Sequence, residues 1–333
     1  MAFMTKRLPI RIAGTGTYVP EEVLDNQHFA SYLDTTDEWI VSRTGIRERR
    51  RAAKNESTSV LATNAARKAI ENAGLTVADI DAIVVATATG DYPFPSTATL
   101  VQKALGARTV PALDVGAACA GFLYATTVAS GLLATEAYQH VLVIGAETLT
   151  RCVDTEDRST IVLFGDGAGA AVLCKAHNPE QGILHFELGC DGDKSEYIWI
   201  PAGGSKLPAS HMTINEKLHF MHLRGREVFK FAVIKMEELI DRGLQETGLT
   251  PADIKLMIPH QSNLRIIESM RERMGLPHEK IAINITKYGN TSAASIPMAL
   301  DEARRSGKLQ TGDAILMLAV GAGLTWGSMI VRL

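Results

Sequence analysis

The stretch Gly74-Leu-Thr-Val-Ala-Asp-Ile80 returns 174 positions later as Gly248-Leu-Thr-Pro-Ala-Asp-Ile254, and each copy leads into a short apolar run. The same offset carries Val141-Leu-Val-Ile-Gly145 onto Ile315-Leu-Met-Leu-Ala319 and residues 113–122 onto 287–296. Separate runs that fall into one register point to two related halves, each alternating helices with strands, and so to an α/β fold. The halves are expected at 1–176 and 177–333. The second opens on a polar connection over about 177–222, rich in Gly, Pro, Ser and His, which reads as a functional loop or cover. In such folds ligands gather where related strand ends meet, so the chemistry is sought there.

One strand end stands out. In Leu113-Asp-Val-Gly-Ala-Ala-Cys119-Ala-Gly-Phe-Leu-Tyr124 an apolar run passes through small residues into a helical pattern carried by Phe122, Ala125, Val128, Leu132 and Leu133. Cys119 is then expected at a helix N-terminus, where unpaired N–H groups and the helix dipole favour its thiolate. A lone cysteine is more often a small buried hydrophobe, so the assignment needs partners. Three segments that follow strand-like runs supply them: Pro259-His260-Gln-Ser-Asn263, Gly289-Asn290-Thr-Ser-Ala-Ala-Ser-Ile-Pro297, and Gly321-Ala322-Gly323-Leu-Thr-Trp326-Gly327.

Other signals restrict the function classes. A formal net charge of −3 gives no global reason to bind nucleic acid, and no apolar stretch approaches a membrane span. The segment Met1–Pro9 leads into nothing like a signal peptide, which makes the cytoplasm the default location. Cys119, Cys152, Cys174 and Cys190 lack the spacing of a zinc site or a disulfide framework. Gly14-x-Gly16, ending a first strand at 9–16, lacks the third glycine of a dinucleotide fingerprint, and Gly165-Asp-Gly167-Ala-Gly169 reads as a tight turn between strands. Ser57 and Thr58 suit the cap of a helix over 59–72 that ends at Gly74. Trp39 lies among Arg43, Arg47 and Arg49–Arg51; this is either a solvated basic face or a site for phosphates and a stacked ring, and pattern alone favours the former.

Taken together, Asp-Val-x-Ala-Ala-Cys119-x-Gly-Phe, Pro-His260-Gln-x-Asn263-Leu-Arg265, Tyr-Gly-Asn290-Thr-Ser-Ala-Ala-Ser and Phe164-Gly-Asp-Gly-Ala-Gly-Ala closely resemble the β-ketoacyl-acyl carrier protein synthase III family of the thiolase superfamily, over nearly the whole chain. The resemblance implies a thiolase-like fold, two duplicated α/β halves in five layers αβαβα. It also implies a decarboxylative condensation of a short acyl-CoA with malonyl-acyl carrier protein through an acyl-cysteine, with no cofactor beyond the CoA substrate and no metal. Cys119 would be the nucleophile, the backbone N–H groups of Cys119 and Ala322 the oxyanion hole, and His260 with Asn290 the donors to the malonyl thioester oxygen. Asparagine rather than a second histidine selects the CoA-primed, initiating branch. Trp39 and Arg158 would hold the adenine, Arg43 the phosphates, Gly225 and Asn263 the pantetheine arm, and Phe229 the tunnel wall. Phe94 would cross a homodimer interface, and Lys230, Arg265, Arg271 and Arg273 would meet an acidic carrier protein. Two rival readings keep the cysteine: a secondary-metabolism acyltransferase with another acyl-CoA or acceptor, and a Cys–His–Asn hydrolase.

Overall fold

The apolar runs that matched across the repeat form the strands of two sheets in the computed structural model, which describes residues 7–333. Met1–Lys6, part of the segment read for a signal, lie outside the described residues. The first sheet runs in the order Ile10–Tyr18, Asp166–Lys175, His140–Thr148, Ala82–Ala86, Ala112–Val115; the second runs Gly182–Cys190, Thr325–Arg332, Ala314–Gly321, Ile254–Pro259. In each sheet the strands that follow the Gly-Leu-Thr repeat pair in parallel with the next matched strand, Ala82–Ala86 with His140–Thr148 and Ile254–Pro259 with Ala314–Gly321.

Two helices, Gly121–Ala134 and Ser295–Arg305, lie between the sheets, and the core there draws Phe122, Leu123 and Ala125 from one and Ile296, Ala299 and Leu300 from the other. On the outer face of the first sheet Leu61, Ala65 and Ala69 of the helix Thr58–Asn72 pack against Ile83, Leu142 and Ala170. The outer face of the second is covered by Gly225–Thr247 and Leu264–Arg273, whose Met236, Ile240 and Ile267 meet Leu316 and Ile330. The result is the five-layered αβαβα arrangement. Burial of strands on both faces explains why they read as unbroken apolar runs.

Several local readings change. The connection contains a nine-residue strand, Gly182–Cys190, that pairs antiparallel with Thr325–Arg332, so only the part beyond Cys190 covers the site. The glycine-rich run is no turn: Asp166–Lys175 is a strand buried along nearly its full length, and a Cβ on Gly169 would stand 2.6 Å from the backbone N of Met298, so small residues let a central helix lie against the sheet. Likewise Gly14 and Gly16 lie inside the strand Ile10–Tyr18 rather than ending it. The helix Thr58–Asn72 begins where expected, but Ser57 makes no side-chain cap bond. Finally, residues matched to the strand Ala112–Val115 form a helical turn, Ile285–Tyr288. The fifth place in the second sheet is held by a single bridge between Met257 and Ile281.

Candidate active site

Cys119 sits in a 3-10 turn, Ala118–Ala120, that opens with Ala118 at φ 43° and passes directly into the central helix Gly121–Ala134. The second half backs this turn: a Cβ on Gly321 would lie 2.7 Å from the backbone N of Cys119 and 3.0 Å from that of Ala120, so only glycine allows the approach. Ala322 follows with negative φ, a conformation any L-residue accepts.

His260 is the first residue past the strand Ile254–Pro259, and its backbone N–H donates to Leu318 O at 2.8 Å. Its Nδ1 lies 2.6 Å from Ser295 Oγ, while Nε2 is buried without a protein partner. Ser295 Oγ also accepts from the Gln261 N–H at 3.4 Å; in the tautomer where the Ser295 hydroxyl donates to Nδ1, the ring proton is on Nε2 and faces the cavity. Asn290 is held by its backbone, whose N–H donates to Leu163 O at 2.9 Å and whose O accepts from Gly165 N at 3.1 Å. Its Oδ1 accepts from Ser292 N at 2.9 Å, so the carboxamide turns its NH2 to other partners. Cys119, His260, Asn290 and Ala322 line one cavity of about 380 Å³, whose walls include Gly225, Phe229 and Asn263. The antiparallel pair of short strands Ile198–Trp199 and His222–Leu223 lines one side.

Electrostatics correct one expectation. Although Cys119 retains some exposure as a residue, desolvation pushes its thiol up to about 12; Glu147 adds to the rise and the Ser292 hydroxyl opposes it. Burial outweighs the helix end, so the resting group is a thiol. Burial likewise holds His260 down to about 3, a neutral imidazole. No thiolate–imidazolium pair forms. The site instead offers a thiol beside two neutral donors, which suits stabilising an oxyanion and not drawing protons from solvent.

The other anticipated residues separate into three places. Arg43 and Arg158 stack on Trp39, at 4.5 and 4.7 Å from the ring centroid, outside the cavity lining; Arg158 also donates to Asp34 O. Asn263 ties this cluster to the cavity through its Nδ2, which donates to Arg43 O at 2.9 Å. Phe94 projects into solvent, 86% exposed, and is not among the residues that line the cavity. Arg265 stands over the Phe229 ring at 5.5 Å, and Lys230 is exposed beside it on the helix Gly225–Thr247. Arg271 is engaged by Glu268 at 2.6 Å and Leu276 O at 3.0 Å, and Arg273 by Asp241 at 2.6 Å.

Three residues that motif reading passed over also belong to the site. Ser295 hydrogen-bonds His260 Nδ1, Ser292 lines the cavity beside Cys119, and Glu147 is fully buried, accepting from Thr87, Ala88 and Thr89. The signal for Glu147 was present: an acid terminating the apolar run 141–146. Among the described residues no group of three or more His, Cys, Asp or Glu is placed to hold a metal, and no helix is long and apolar enough to cross a membrane.

Comparison with known proteins gives a consistent result. Residues 113–192 match the family described as 3-oxoacyl-[acyl-carrier-protein (ACP)] synthase III, and residues 244–333 match its C-terminal counterpart. A β-ketoacyl-[acyl-carrier-protein] synthase III of Caldanaerobacter subterraneus is 50% identical over 329 residues, covering 99% of both chains. One from Clostridioides difficile is 50% identical over 321 residues, 96% of this chain and 97% of that one. The crystal structure of 3-oxoacyl-[acyl-carrier-protein] synthase III from Aquifex aeolicus superposes with a TM-score of 0.89 at 45% identity, over 97% of this chain and all of the other.

Proposed function

This chain belongs to the 3-oxoacyl-[acyl-carrier-protein] synthase III family of condensing acyltransferases, and from that premise we propose that it joins a short acyl group from acyl-CoA to the two-carbon unit of malonyl-acyl carrier protein, initiating fatty acid synthesis. The observation that carries the reading is the convergence of Cys119, the unpartnered Nε2 of His260 and Asn290 on one cavity.

In the first half-reaction Cys119 attacks the acyl-CoA thioester, and the backbone N–H groups of Cys119 and Ala322 receive the oxyanion. CoA leaves and an acyl-cysteine remains. Malonyl-acyl carrier protein then binds. Its thioester oxygen accepts from His260 Nε2–H and Asn290 Nδ2–H as carbon dioxide departs and charge moves onto that oxygen. The resulting carbanion attacks the acyl carbonyl, and the β-ketoacyl product leaves Cys119. Decarboxylation generates the nucleophile, so no base need remove a carbon-bound proton. A neutral His260 and an asparagine are suited to that work.

The CoA adenine is assigned to Trp39 and Arg158, its phosphates to Arg43, and its pantetheine arm to Gly225 and Asn263, with Phe229 on the tunnel wall. Adenine must part Arg158 from the indole face it already covers. Phe94 is assigned to the acyl pocket of a second copy in a homodimer, a role its exposure supports. For the carrier protein, Lys230 and Arg265 flank the cavity, while Arg271 and Arg273 join the docking face from within their ion pairs. CoA enters as substrate, no separate cofactor takes part, and the enzyme works in the cytoplasm with residues 1–176 and 177–333 as its two halves.

The test is incubation with acetyl-CoA and malonyl-acyl carrier protein, with intact-mass detection of the intermediate. An acetyl group on Cys119, followed by acetoacetyl-acyl carrier protein and carbon dioxide, is the expected outcome. Acetyl-enzyme that hydrolyses without the malonyl donor, or an acyl group on Cys119→Ser alone, contradicts it.

A further inference from the structure

One arginine lies in the interior with no carboxylate bonded to it. Arg49, in the strand Glu48–Arg51, is fully buried, and burial pushes its guanidinium down to about 10, still charged at neutral pH. Its hydrogen bonds all end on neutral oxygens: Nη1 donates to Leu24 O at 3.2 Å and to Asn26 Oδ1 at 2.8 Å, and Nη2 donates to Val162 O. The Phe29 ring lies against it at 4.5 Å. A buried charge without an ion-pair partner is costly, so the contacts that this planar fork makes need an account.

Two of its partners lead to the stack around Trp39. Asn26 Nδ2 donates to Asp37 Oδ1 at 2.8 Å and to Ile46 O at 2.9 Å, which ties down the first residue of the helix Asp37–Thr44 and the chain just past its end. That helix carries Trp39 and Arg43. On the other side Val162 caps the short helix Arg158–Ile161, so the second arm of the guanidinium holds the carbonyl end of the segment that carries Arg158. The indole and its two arginines thus stack between helices that a single side chain grips.

The same side chain backs Asn290. Just beyond Val162, Leu163 O accepts from Asn290 N at 2.9 Å and Gly165 N donates to Asn290 O at 3.1 Å. Both strands of this contact rest on the arginine stem: a Cβ on Gly165 would lie 3.0 Å from Arg49 Cβ, and one on Gly289 would lie 3.3 Å from it.

We propose that Arg49 is a positioning residue that sets the adenine clamp and the Asn290 carboxamide together from one buried point. The proposal rests on the CoA and malonyl assignments made above. Arg49 is not among the residues that line the cavity, so it acts only through the groups it holds. Lysine would keep the charge but offer a compact point donor in place of the fork, and so lose one grip or the other. Reacting groups that shift by about 1 Å lose up to about 10²-fold in rate.

The experiment uses the full chain as the natural protein, Trp39→Ala, Asn26→Ala and Arg49→Lys. One readout is the ratio of kcat/KM for acetyl-CoA to that for acetyl-pantetheine, which lacks the nucleotide. The other is carbon dioxide release from malonyl-acyl carrier protein per acetylated enzyme, counted by intact mass. Each variant is expected to lower the preference for acetyl-CoA about 10-fold, and Arg49→Lys alone to slow carbon dioxide release about 10-fold as well. A loss of folded enzyme would lower both primers alike and leave both readouts unmoved. Either readout at its natural value in folded Arg49→Lys therefore overturns the inference. Where Arg49→Lys does not fold, Asn26→Ala decides: a natural preference overturns the inference, and a lowered preference with natural carbon dioxide release upholds it. Trp39→Ala with the natural preference overturns the adenine assignment and this inference with it, while acylation and condensation still stand. A natural protein that takes no acetyl group on Cys119 overturns the proposed function as well.

Discussion

In both halves a residue with positive φ opens a 3-10 turn that runs directly into a central helix: Ala118 at 43° before Cys119, and Ser292 at 47° before Ala293. The two stand 174 positions apart, the offset of the sequence repeat. Each turn is backed by the strand end of the other half, and those strand ends, Glu147 and Gly321, are again equivalent. The backbone is thus duplicated while the chemistry is divided. Cysteine stands opposite alanine, Asn290 opposite Gly116, His260 opposite Ala86, and a buried acid opposite a glycine that must carry no side chain. In the proposed reaction one half would hold the acyl group and the other would stabilise the incoming carbanion.

The most severe test makes the first turn match the second. Cys119→Ala should lower condensation at least ~10⁴-fold and abolish the acyl-enzyme by mass, while Tm barely moves. Next come the donors of the second half. His260→Ala and Asn290→Ala should slow malonyl decarboxylation by about 10²- to 10³-fold and change Cys119 acylation only a few-fold, as followed by carbon dioxide release and acyl-enzyme mass; equal losses in both steps would erase the division between halves.

The backing residues give smaller effects. Gly321→Ala places a methyl group 2.7 Å from Cys119 N, so it should cost about 1–3 kcal/mol in thermal unfolding and disturb the oxyanion donors at once. Titration separates the halves as well. Unfolded His260 takes up a proton below about 6.5, whereas the folded ring resists until about 3, so acidification from neutrality costs stability. His260→Gln should therefore narrow the Tm difference between pH 7 and pH 5, by up to ~2 kcal/mol in stability. Glu147 runs the other way: its folded carboxyl ionises near 7, so its stabilising effect is present at low pH and is lost as pH rises. The smallest change is expected from Ala118→Gly, which eases the positive φ yet loosens the unfolded chain, a net shift below ~1 kcal/mol by calorimetry.

Much of this was legible in the chain. The repeat predicted paired α/β halves because buried strands and glycine turns leave a regular imprint, and motif resemblance singled out Cys119, His260 and Asn290. What escaped depended on contacts across the halves. Gly182–Cys190 contains His and Glu at positions 185 and 187 and read as loop; its partner strand, more than 130 residues away, makes it sheet. The thiol's high proton affinity arises from burial that the opposite half completes, which a helix-end argument leaves out. Glu147 reads like any polar strand terminus in the sequence; its full burial among Thr87, Ala88 and Thr89 depends on the fold.

The reciprocal bracing of the two turns means the molecule cannot be divided at its own seam and keep a working part. A fragment ending near residue 176 would carry the sulfur without the glycine that shapes its amide, and the remainder would carry the imidazole and carboxamide with nothing behind Ala293. Only reassembly of both pieces restores a reactive centre, which makes the junction before Gly182 a natural place to split the enzyme into an inducible pair.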